Sequence, residues 1–178
     1  GERSEYFFIE YIEPFAENRR AFGLDAGTQA ANRESLIASR DSGRTYLTPP
    51  FQLVQTRPGE PGLVLRAPVY RNGAPLDTVG QRRAALTGFV GITLEADGIF
   101  GDILAAPAYA GLRAVIRDLG SAVADVAAGT EPQEITGGGS NITALLANTR
   151  TVEANGRLWE LSLAAGETWL AAVPGRHQ

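Results

Sequence analysis

The sequence predicts an α+β fold with antiparallel sheets, flanking helices and two unequal halves. Three observations predict it: β-rich segments follow one another with little helix between them, one amphipathic helix lies near the start, and a hairpin lies near the end. Strands in this order favour antiparallel neighbours, because parallel strands need long crossover connections. We expect a larger half over residues 1–106 and a smaller half over residues 107–178.

The larger half begins with an aromatic and β-branched segment, Tyr6–Ile12, which predicts a strand. Residues 30–43 predict a helix, since Leu36 and Ile37 mark an apolar face and Gly43 stands where a left-handed residue ends many helices. Further strands are predicted at Thr45–Thr48, Phe51–Gln55, Gly62–Tyr70 and Leu86–Thr93, and further helical segments at Val79–Ala85 and Ala96–Leu104. We expect Phe51–Gln55 to pair with the strand that follows it across a turn rich in proline and glycine.

The smaller half shows weaker patterns until its end. Leu112–Leu119 predicts a strand, and the glycine-rich stretch from residue 120 to 141 predicts a loop. The glycine triplet at residues 137–139 lies within that predicted loop and not between a strand and a helix, which argues against a phosphate-binding turn. Asn155-Gly156 separates two β-rich runs and predicts a hairpin, because these residues accept the positive φ angles of a type I′ turn.

Composition excludes several classes of function. The chain has 178 residues, 44% hydrophobic and 20% charged, which is typical of a folded domain. Its formal net charge of −4 offers no general attraction to nucleic acid. The chain has no cysteine, and its one histidine, His177, is the penultimate residue, so we expect no metal ion, no cofactor and no thiol or histidine catalysis. All 16 basic residues are Arg, which is typical of a GC-rich bacterial genome.

Two charged side chains are candidates for a binding site. Asp25 ends an apolar stretch just before the predicted helix, so it is either a helix cap or a carboxylate aimed into a pocket. Arg66 lies in the middle of an apolar strand, where a guanidinium must be paired or face a polar cavity. It forms a salt bridge with a neighbour such as Glu10 or Asp25, or it anchors the carboxylate or phosphate of a ligand.

Glu10 and Glu13 flank the end of the first predicted strand and form a further pair of acids. Two carboxylates of shifted pKa are what a hydrolytic enzyme of this composition would need. Acids at a strand end are usually solvated, however, and Asp25 is the one plausible pocket carboxylate in the sequence. Catalysis by this segment is therefore not expected.

An ordered run of short motifs is similar to a known family. The run is Glu13-Pro14, Gly23-Leu24-Asp25, Arg33, Ser42-Gly43-Arg44, Leu47-Thr48, Phe51-Gln52-Leu53-Val54-Gln55, Pro68-Val69-Tyr70-Arg71 and Leu86-Thr87-Gly88-Phe89-Val90. Over residues 6–104 it resembles the CHASE domain, an extracytoplasmic sensor domain of membrane-bound histidine kinases and nucleotide cyclases, including the plant cytokinin receptors. From residue 110 onward the resemblance is looser, with residues 156–161 similar to the closing strand of the family.

The resemblance implies two stacked PAS-like halves on a long helix that rises from the membrane, with the ligand pocket in the distal half, residues 1–106. It implies that Asp25 matches a pocket aspartate that hydrogen-bonds the ligand in cytokinin receptors, and that Arg66 stands where those receptors carry a small polar residue. The expected ligand-binding residues are Asp25, Leu47, Thr48, Phe51, Arg66, Tyr70 and Gly88. The positive charge of Arg66 favours an anionic small molecule over a neutral purine.

We therefore expect a small-molecule sensor domain on the periplasmic or extracellular side of a bacterial membrane. Its parent protein would be a membrane-anchored homodimer of the histidine kinase or diguanylate cyclase type, whose signalling state shifts when ligand binds. No catalytic residue, metal or nucleic-acid partner is expected in this segment. The alternative from another class is a structural or protein-interaction module with a vestigial pocket, which an Arg66 paired to an internal carboxylate would favour.

Overall fold

A computed structural model describes residues 3–122, 131–139 and 142–172 of the chain, so that His177 lies outside the described residues. Contacts between residues divide the chain into two compact units, Gly1–Leu94 and Glu95–Gln178. The two sheets have three and four strands, and every pairing with a defined register is antiparallel. The predicted α+β class is confirmed.

The first unit consists of a short sheet and the helices beside it. The strands are β1 (Tyr46–Leu47), β2 (Gly62–Tyr70) and β3 (Leu86–Glu95), in the order β1-β2-β3. The helices are α1 (Phe15–Asn18), α2 (Ala30–Ser42) and α3 (Val79–Ala85), and a 3-10 turn, Ala26–Thr28, precedes α2. The predicted helix is confirmed at α2, which ends at Gly43 with a φ of 73°.

Small polar side chains form much of the contact between α2 and the sheet. Ser35 and Ser39 of α2 are fully buried, as are Leu63 of β2 and Thr48, the residue after β1. Ser39 donates its hydroxyl hydrogen to the carbonyl oxygen of Arg44, so burial leaves it hydrogen-bonded. Small side chains on this face allow the helix to lie close to β2, which brings the ends of longer strand side chains against the helix backbone.

Two predicted strands are shorter than expected. Tyr6–Ile12 contributes a single bridge, between Phe8 and Asp25, and Phe51–Gln55 contributes a single bridge, between Phe51 and Gly62. In the second case the Gln52 amide accepts from the Gly59 N–H and donates to the Thr56 hydroxyl oxygen. Local side-chain hydrogen bonds of this kind compete with a β ladder, which explains why the strand at Phe51 stops early.

The second unit is a four-stranded sheet in the order β5-β4-β7-β6. Its strands are β4 (Leu112–Ser121), β5 (Gln133–Gly139), β6 (Leu146–Ala154) and β7 (Arg157–Ala165). Its helical segments are α4 (Ala96–Ala105), a 3-10 turn at Pro107–Tyr109, and α5 (Glu167–Ala172). The predicted hairpin is confirmed: Asn155 and Gly156 have φ angles of 45° and 81° between β6 and β7.

The loop predicted for residues 120–141 is wrong where β5 forms, since the glycine triplet is part of that strand. Gly139 pairs with Arg113, and Gly137 pairs with Val115, both on β4. A Cβ atom at Gly139 would lie 2.2 Å from the Leu112 carbonyl oxygen, so only glycine permits this close approach. Pairing with a neighbouring strand, and not local propensity, makes this segment extended; residues 123–130, 140 and 141 lie outside the described residues.

The described part of the chain contains neither a membrane-spanning helix nor a metal-binding cluster. No helix there combines the length and the apolar character needed to cross a bilayer. Nor do three acidic, histidine or cysteine side chains converge there in a manner suited to a metal ion.

Candidate functional site

The candidate site lies where β2 faces α2 in the first unit. Arg66 and Tyr70, four residues apart on β2, both bond to α2, as alternation of side chains along a strand predicts. Tyr70 donates its hydroxyl hydrogen to the carbonyl oxygen of Arg40 at 2.5 Å, and burial raises the pKa of Tyr70. The two side chains therefore hold the middle and the end of β2 against the helix.

Arg66 is a buried cation held by neutral oxygens. It is 8% exposed. Its Nη1 donates to the Ser35 hydroxyl oxygen at 2.6 Å and to the Asn32 carbonyl oxygen at 3.3 Å, and its Nη2 donates to Asn32 Oδ1. Burial lowers the pKa of Arg66 to about 10, because a charge is less stable away from water. The guanidinium therefore keeps its positive charge at neutral pH.

No described residue supplies Arg66 with a carboxylate. Of its two candidate partners, Asp25 pairs with Arg3 and Glu10 is exposed. Arg40, buried on the same helix, differs because it bonds to Glu5 and to Asp41, each at 2.7 Å. Among the described residues, Arg66 therefore does not form the internal salt bridge that would favour a vestigial pocket.

Asp25 is the N-cap of the 3-10 turn that leads into α2. Its Oδ1 accepts the backbone N–H groups of Phe7 at 3.0 Å and Gly27 at 2.9 Å, and its Oδ2 accepts from Arg3. The hydrogen bond from Phe7, assisted by Gly27 and Arg3, lowers the pKa of Asp25. The structure gives Asp25 the cap role, the first of its two interpretations; contact with a ligand stays a prediction.

Three further predicted residues line the short edge of the sheet beside β2. Leu47 pairs with Leu65 and is buried. Thr48 is fully buried, with its N–H donated to the Val64 carbonyl oxygen at 3.0 Å and its hydroxyl oxygen accepting the Val64 N–H at 2.9 Å. Phe51 is half-buried and bridges to Gly62. Because Leu47 pairs with Leu65, its side chain lies on the sheet face opposite to Arg66, so the structure does not bring Leu47 together with the guanidinium.

The glycines of β3 differ in what surrounds them. A Cβ atom at Gly91 would lie 3.5 Å from Val64 Cγ1 and 3.6 Å from Arg66 Cγ, so Gly91 shares the face of Arg66. Gly91 is nevertheless exposed, which leaves open space beside the aliphatic part of Arg66. A Cβ atom at the predicted Gly88 would meet no atom within 4 Å, and alternation over three residues places Gly88 on the opposite face.

The structure thus brings Arg66 and Tyr70 together against α2, with Leu47, Thr48 and Phe51 at the neighbouring edge. Sequence analysis missed three residues of this site: Asn32, Ser35 and Gly91. Asn32 and Ser35 are three residues apart in the predicted helix and so lie on one face of it, which the sequence alone could have indicated. Only the packing of β3 against β2 shows that Gly91 adjoins Arg66.

Comparison with known proteins shows which family the sequence matches. The CHASE domain family matches residues 1–133, three quarters of the chain. A protein named probable histidine kinase 4, from Oryza sativa subsp. japonica, is 34% identical over 97 residues, which are 54% of this chain and 8% of that protein. The chain therefore spans less than a tenth of the length of this curated relative. It belongs to the CHASE domain family, the sensor domain of histidine kinase receptors in signal transduction.

Proposed function

We propose that this CHASE domain senses a small anionic molecule and that Arg66 anchors it. The observation that carries the proposal is a buried guanidinium that keeps its charge and has only neutral oxygens as partners among the described residues. Gly91, where a Cβ atom would lie 3.6 Å from Arg66 Cγ, is exposed, so the surface beside the aliphatic stem of Arg66 carries no side chain of its own from this position. A site of this kind provides a charge for a ligand to neutralise and room for the ligand to approach.

Electrostatics favours an anionic ligand here. Burying a cation costs free energy, and neutral hydrogen-bond acceptors offset that cost only in part. An anion that enters the site supplies the missing charge, and its attraction to the guanidinium is stronger there than in water because the surroundings are less polar. A neutral ligand gains no such advantage, so we expect acids to bind better than their neutral analogues.

The wider proposal concerns the protein of which this domain is a part. We place the domain on the periplasmic or extracellular side of a bacterial membrane, in a membrane-anchored homodimer with a histidine kinase or diguanylate cyclase output. The name of the rice relative supports a kinase output. Ligand would bias the receptor between two states by as much as its affinity differs between them.

A thermal-shift screen tests the proposal with organic acids, amino acids, nucleobases and cytokinins. A ligand at 100 times its Kd should stabilise the domain by about 2.7 kcal/mol, roughly 5–10 °C for a chain of this size. We expect responses among the acids and none from the neutral compounds. A response from purines alone would remove the charge argument, and silence from the whole panel would contradict the proposed function.

The variant that tests the anchor is Arg66→Met. It removes the charge without stranding a carboxylate, so we expect unfolding free energy within about 1 kcal/mol of wild type and loss of the response to acids. The matched control is Arg57→Met, which removes an exposed arginine from the same unit and should change neither quantity. A folded Arg66→Met domain that still binds acids with wild-type affinity would contradict the anchor role.

A protein-interaction module is the second candidate function. Three apolar side chains of β2 and β3 favour it, because they remain open to solvent: Val69 is 45% exposed, and Val90 and Ile92 are each 60% exposed. A folded domain that responds to no small molecule but loses binding to a partner protein on Val90→Thr would support this candidate instead.

A further inference from the structure

We infer that the ligand is a carboxylate, bound through two parallel hydrogen bonds to one edge of Arg66, with the rest of the ligand lying over Gly91. This inference rests on the proposed function and narrows it from anions in general to one chemical group and one orientation. It follows from the hydrogen bonds of Arg66, the plane of its guanidinium and the space beside Gly91.

A guanidinium has five N–H donors: two on Nη1, two on Nη2 and one on Nε. For Arg66, Nη1 meets two acceptors, the Asn32 carbonyl oxygen and the Ser35 hydroxyl oxygen, and Nη2 meets one, Asn32 Oδ1. Among the described residues, no acceptor lies within hydrogen-bond reach of Nε or of the second Nη2 hydrogen. Two donors are therefore available to a ligand.

The two available donors lie on one edge of the guanidinium. Asn32 accepts from Nη1 and Nη2 together, so it occupies the edge between those two nitrogens. The Nε–H and the remaining Nη2–H lie side by side on the adjacent edge and point in parallel directions. A carboxylate matches this fork because its two oxygens accept two parallel hydrogen bonds at once.

The same chain already contains this pairing in its second unit. There Arg157 donates from Nε to Asp118 Oδ1 at 3.0 Å and from Nη2 to Asp118 Oδ2. The atoms involved, Nε and Nη2, are the ones that Arg66 leaves available. In the inferred complex, the two carboxylate oxygens of the ligand would therefore bind Arg66 in the first unit as the two oxygens of Asp118 bind Arg157 in the second unit.

Gly91 determines where the body of the ligand lies. It is exposed, although a Cβ atom there would be only 3.6 Å from Arg66 Cγ. Gly91 itself places no side chain on the surface next to the aliphatic stem of Arg66, and we assign the body of a flat or small organic ligand to this position. A single fork and a single positive charge suit a monocarboxylate better than a phosphate, which has three acceptor oxygens and close to two charges.

The direct test is NMR of the arginine Nε–H groups during titration with benzoate, with the Arg66 resonance assigned through Arg66→Met. We expect benzoate to shift the Arg66 Nε–H signal and benzamide, which has the same ring without the charge, to leave it in place. Titration with methylphosphonate compares a phosphonate with the carboxylate of benzoate at the same site. If methylphosphonate shifts the signal at tenfold lower concentration than benzoate, the carboxylate inference is overturned while the anionic sensor stands.

Two variants test the orientation. Arg66→Lys keeps the charge without the fork, so benzoate affinity should fall at least tenfold; wild-type affinity would overturn the paired hydrogen bonds. Gly91→Val fills the open surface, and the space around its Cβ is ordinary contact distance, so the variant should fold and bind benzoate at least tenfold more weakly. Its control is Val90→Thr, on the opposite strand face, which should bind as wild type.

The outcomes separate the inference from the proposed function. Loss of acid binding in Arg66→Met together with unchanged binding in Gly91→Val would overturn the position of the ligand and leave the anionic sensor intact. No shift of the Arg66 Nε–H with benzoate, while another acid from the panel binds through Arg66, would overturn the exposed fork. Absence of any acid binding would overturn both.

Discussion

The two units each contain a buried strand arginine, and the two arginines are satisfied in opposite ways. Arg157 of β7 is 2% exposed and forms a paired hydrogen bond with Asp118 of β4, itself 4% exposed. Arg66 of β2 is 8% exposed and bonds only to neutral oxygens of Asn32 and Ser35 among the described residues. The first charge is neutralised by an acid of the chain, whereas the second has no acidic partner among the described residues.

The third buried arginine in the described part of the chain agrees with the structural pattern of Arg157. Arg40 is 4% exposed and bonds to two carboxylates, Glu5 and Asp41. A buried cation in this protein is thus ordinarily paired with an acid, even within the same helix–sheet contact as Arg66. The lack of an acid beside Arg66 among the described residues is therefore a property of that site and not of the composition of the chain.

The largest expected effect is in the second unit. Arg157→Met leaves Asp118 as a buried charge without its cation, so the unfolding free energy should fall by about 3–5 kcal/mol. Denaturant unfolding followed by tryptophan fluorescence measures it. Arg66→Met, which strands no acid, should cost far less, and equal losses in the two variants would break the comparison.

The control for that experiment uses an exposed pair on the same sheet. Arg117 donates from Nη1 to Glu160 Oε1 at 3.1 Å, and the two side chains are 41% and 28% exposed. Arg117→Met should therefore cost less than about 1 kcal/mol. Replacing both Arg157 and Asp118 by apolar residues should recover most of the stability lost in the single variant.

A smaller effect is expected when the first unit is given the missing acid. Asn32→Asp keeps the acceptor next to Arg66 Nη2 and adds a negative charge, so the unfolding free energy should rise by about 1–2 kcal/mol. The internal acid should also weaken benzoate binding at least tenfold, because the charge of Arg66 is already neutralised. Denaturant unfolding and calorimetric titration measure the two quantities.

Ala30→Asp is the matched control for Asn32→Asp. It places an acid in the same first turn of α2 at an exposed position. There the acid interacts favourably with the helix dipole alone, which should raise the unfolding free energy by about 0.3–1 kcal/mol. Benzoate affinity should not change in this variant. If Asn32→Asp bound benzoate as wild type does, Arg66 would not be the ligand anchor.

The smallest expected effect is the loss of unfolding free energy at low pH that comes from protonation of Asp41 in the first unit. Bonds from Arg83 and Arg40 lower the pKa of Asp41 from 3.8 to about 2. The stabilisation is therefore complete above about pH 4 and is lost as the pH falls toward 2, by about 1 kcal/mol after allowance for solvent screening. Asp25, whose pKa is also lowered, contributes equally to both proteins, so between pH 5 and 2 the unfolding free energy of wild type should fall by about 1 kcal/mol more than that of Asp41→Asn; parallel curves would contradict this.

Sequence patterns predicted the local elements well where chemistry within a few residues decides them. Gly43 after an amphipathic run predicted the end of α2, and Asn155-Gly156 predicted the hairpin of β6 and β7. The patterns failed where side chains or distant strands decide the outcome. Gln52 replaces a β ladder with local hydrogen bonds, and the glycine triplet of β5 is extended because β4 pairs with it.

The candidate site shows the same division. Alternation along β2 puts Arg66 and Tyr70 on one face, and both contact α2. The sequence left open whether Arg66 is paired with an acid, because Asp25 lies far along the chain and its partner depends on the fold. Nor did any local pattern distinguish Gly91 from Gly88, since the difference lies in which of them adjoins β2 side chains.

By itself, the sequence determined the α+β class, most helix and strand positions and the presence of a charged residue in an apolar strand, because these follow from residue types at short spacing. The tertiary structure alone decided that the Asp25 carboxylate accepts hydrogen bonds from Phe7, Gly27 and Arg3. It also decided that, among the described residues, the Arg66 guanidinium donates hydrogen bonds only to Asn32 and Ser35. Which charges neutralise each other depends on distances between segments far apart in sequence. That is the physical reason why, among the described residues, Arg157 is paired with an acid and Arg66 is not.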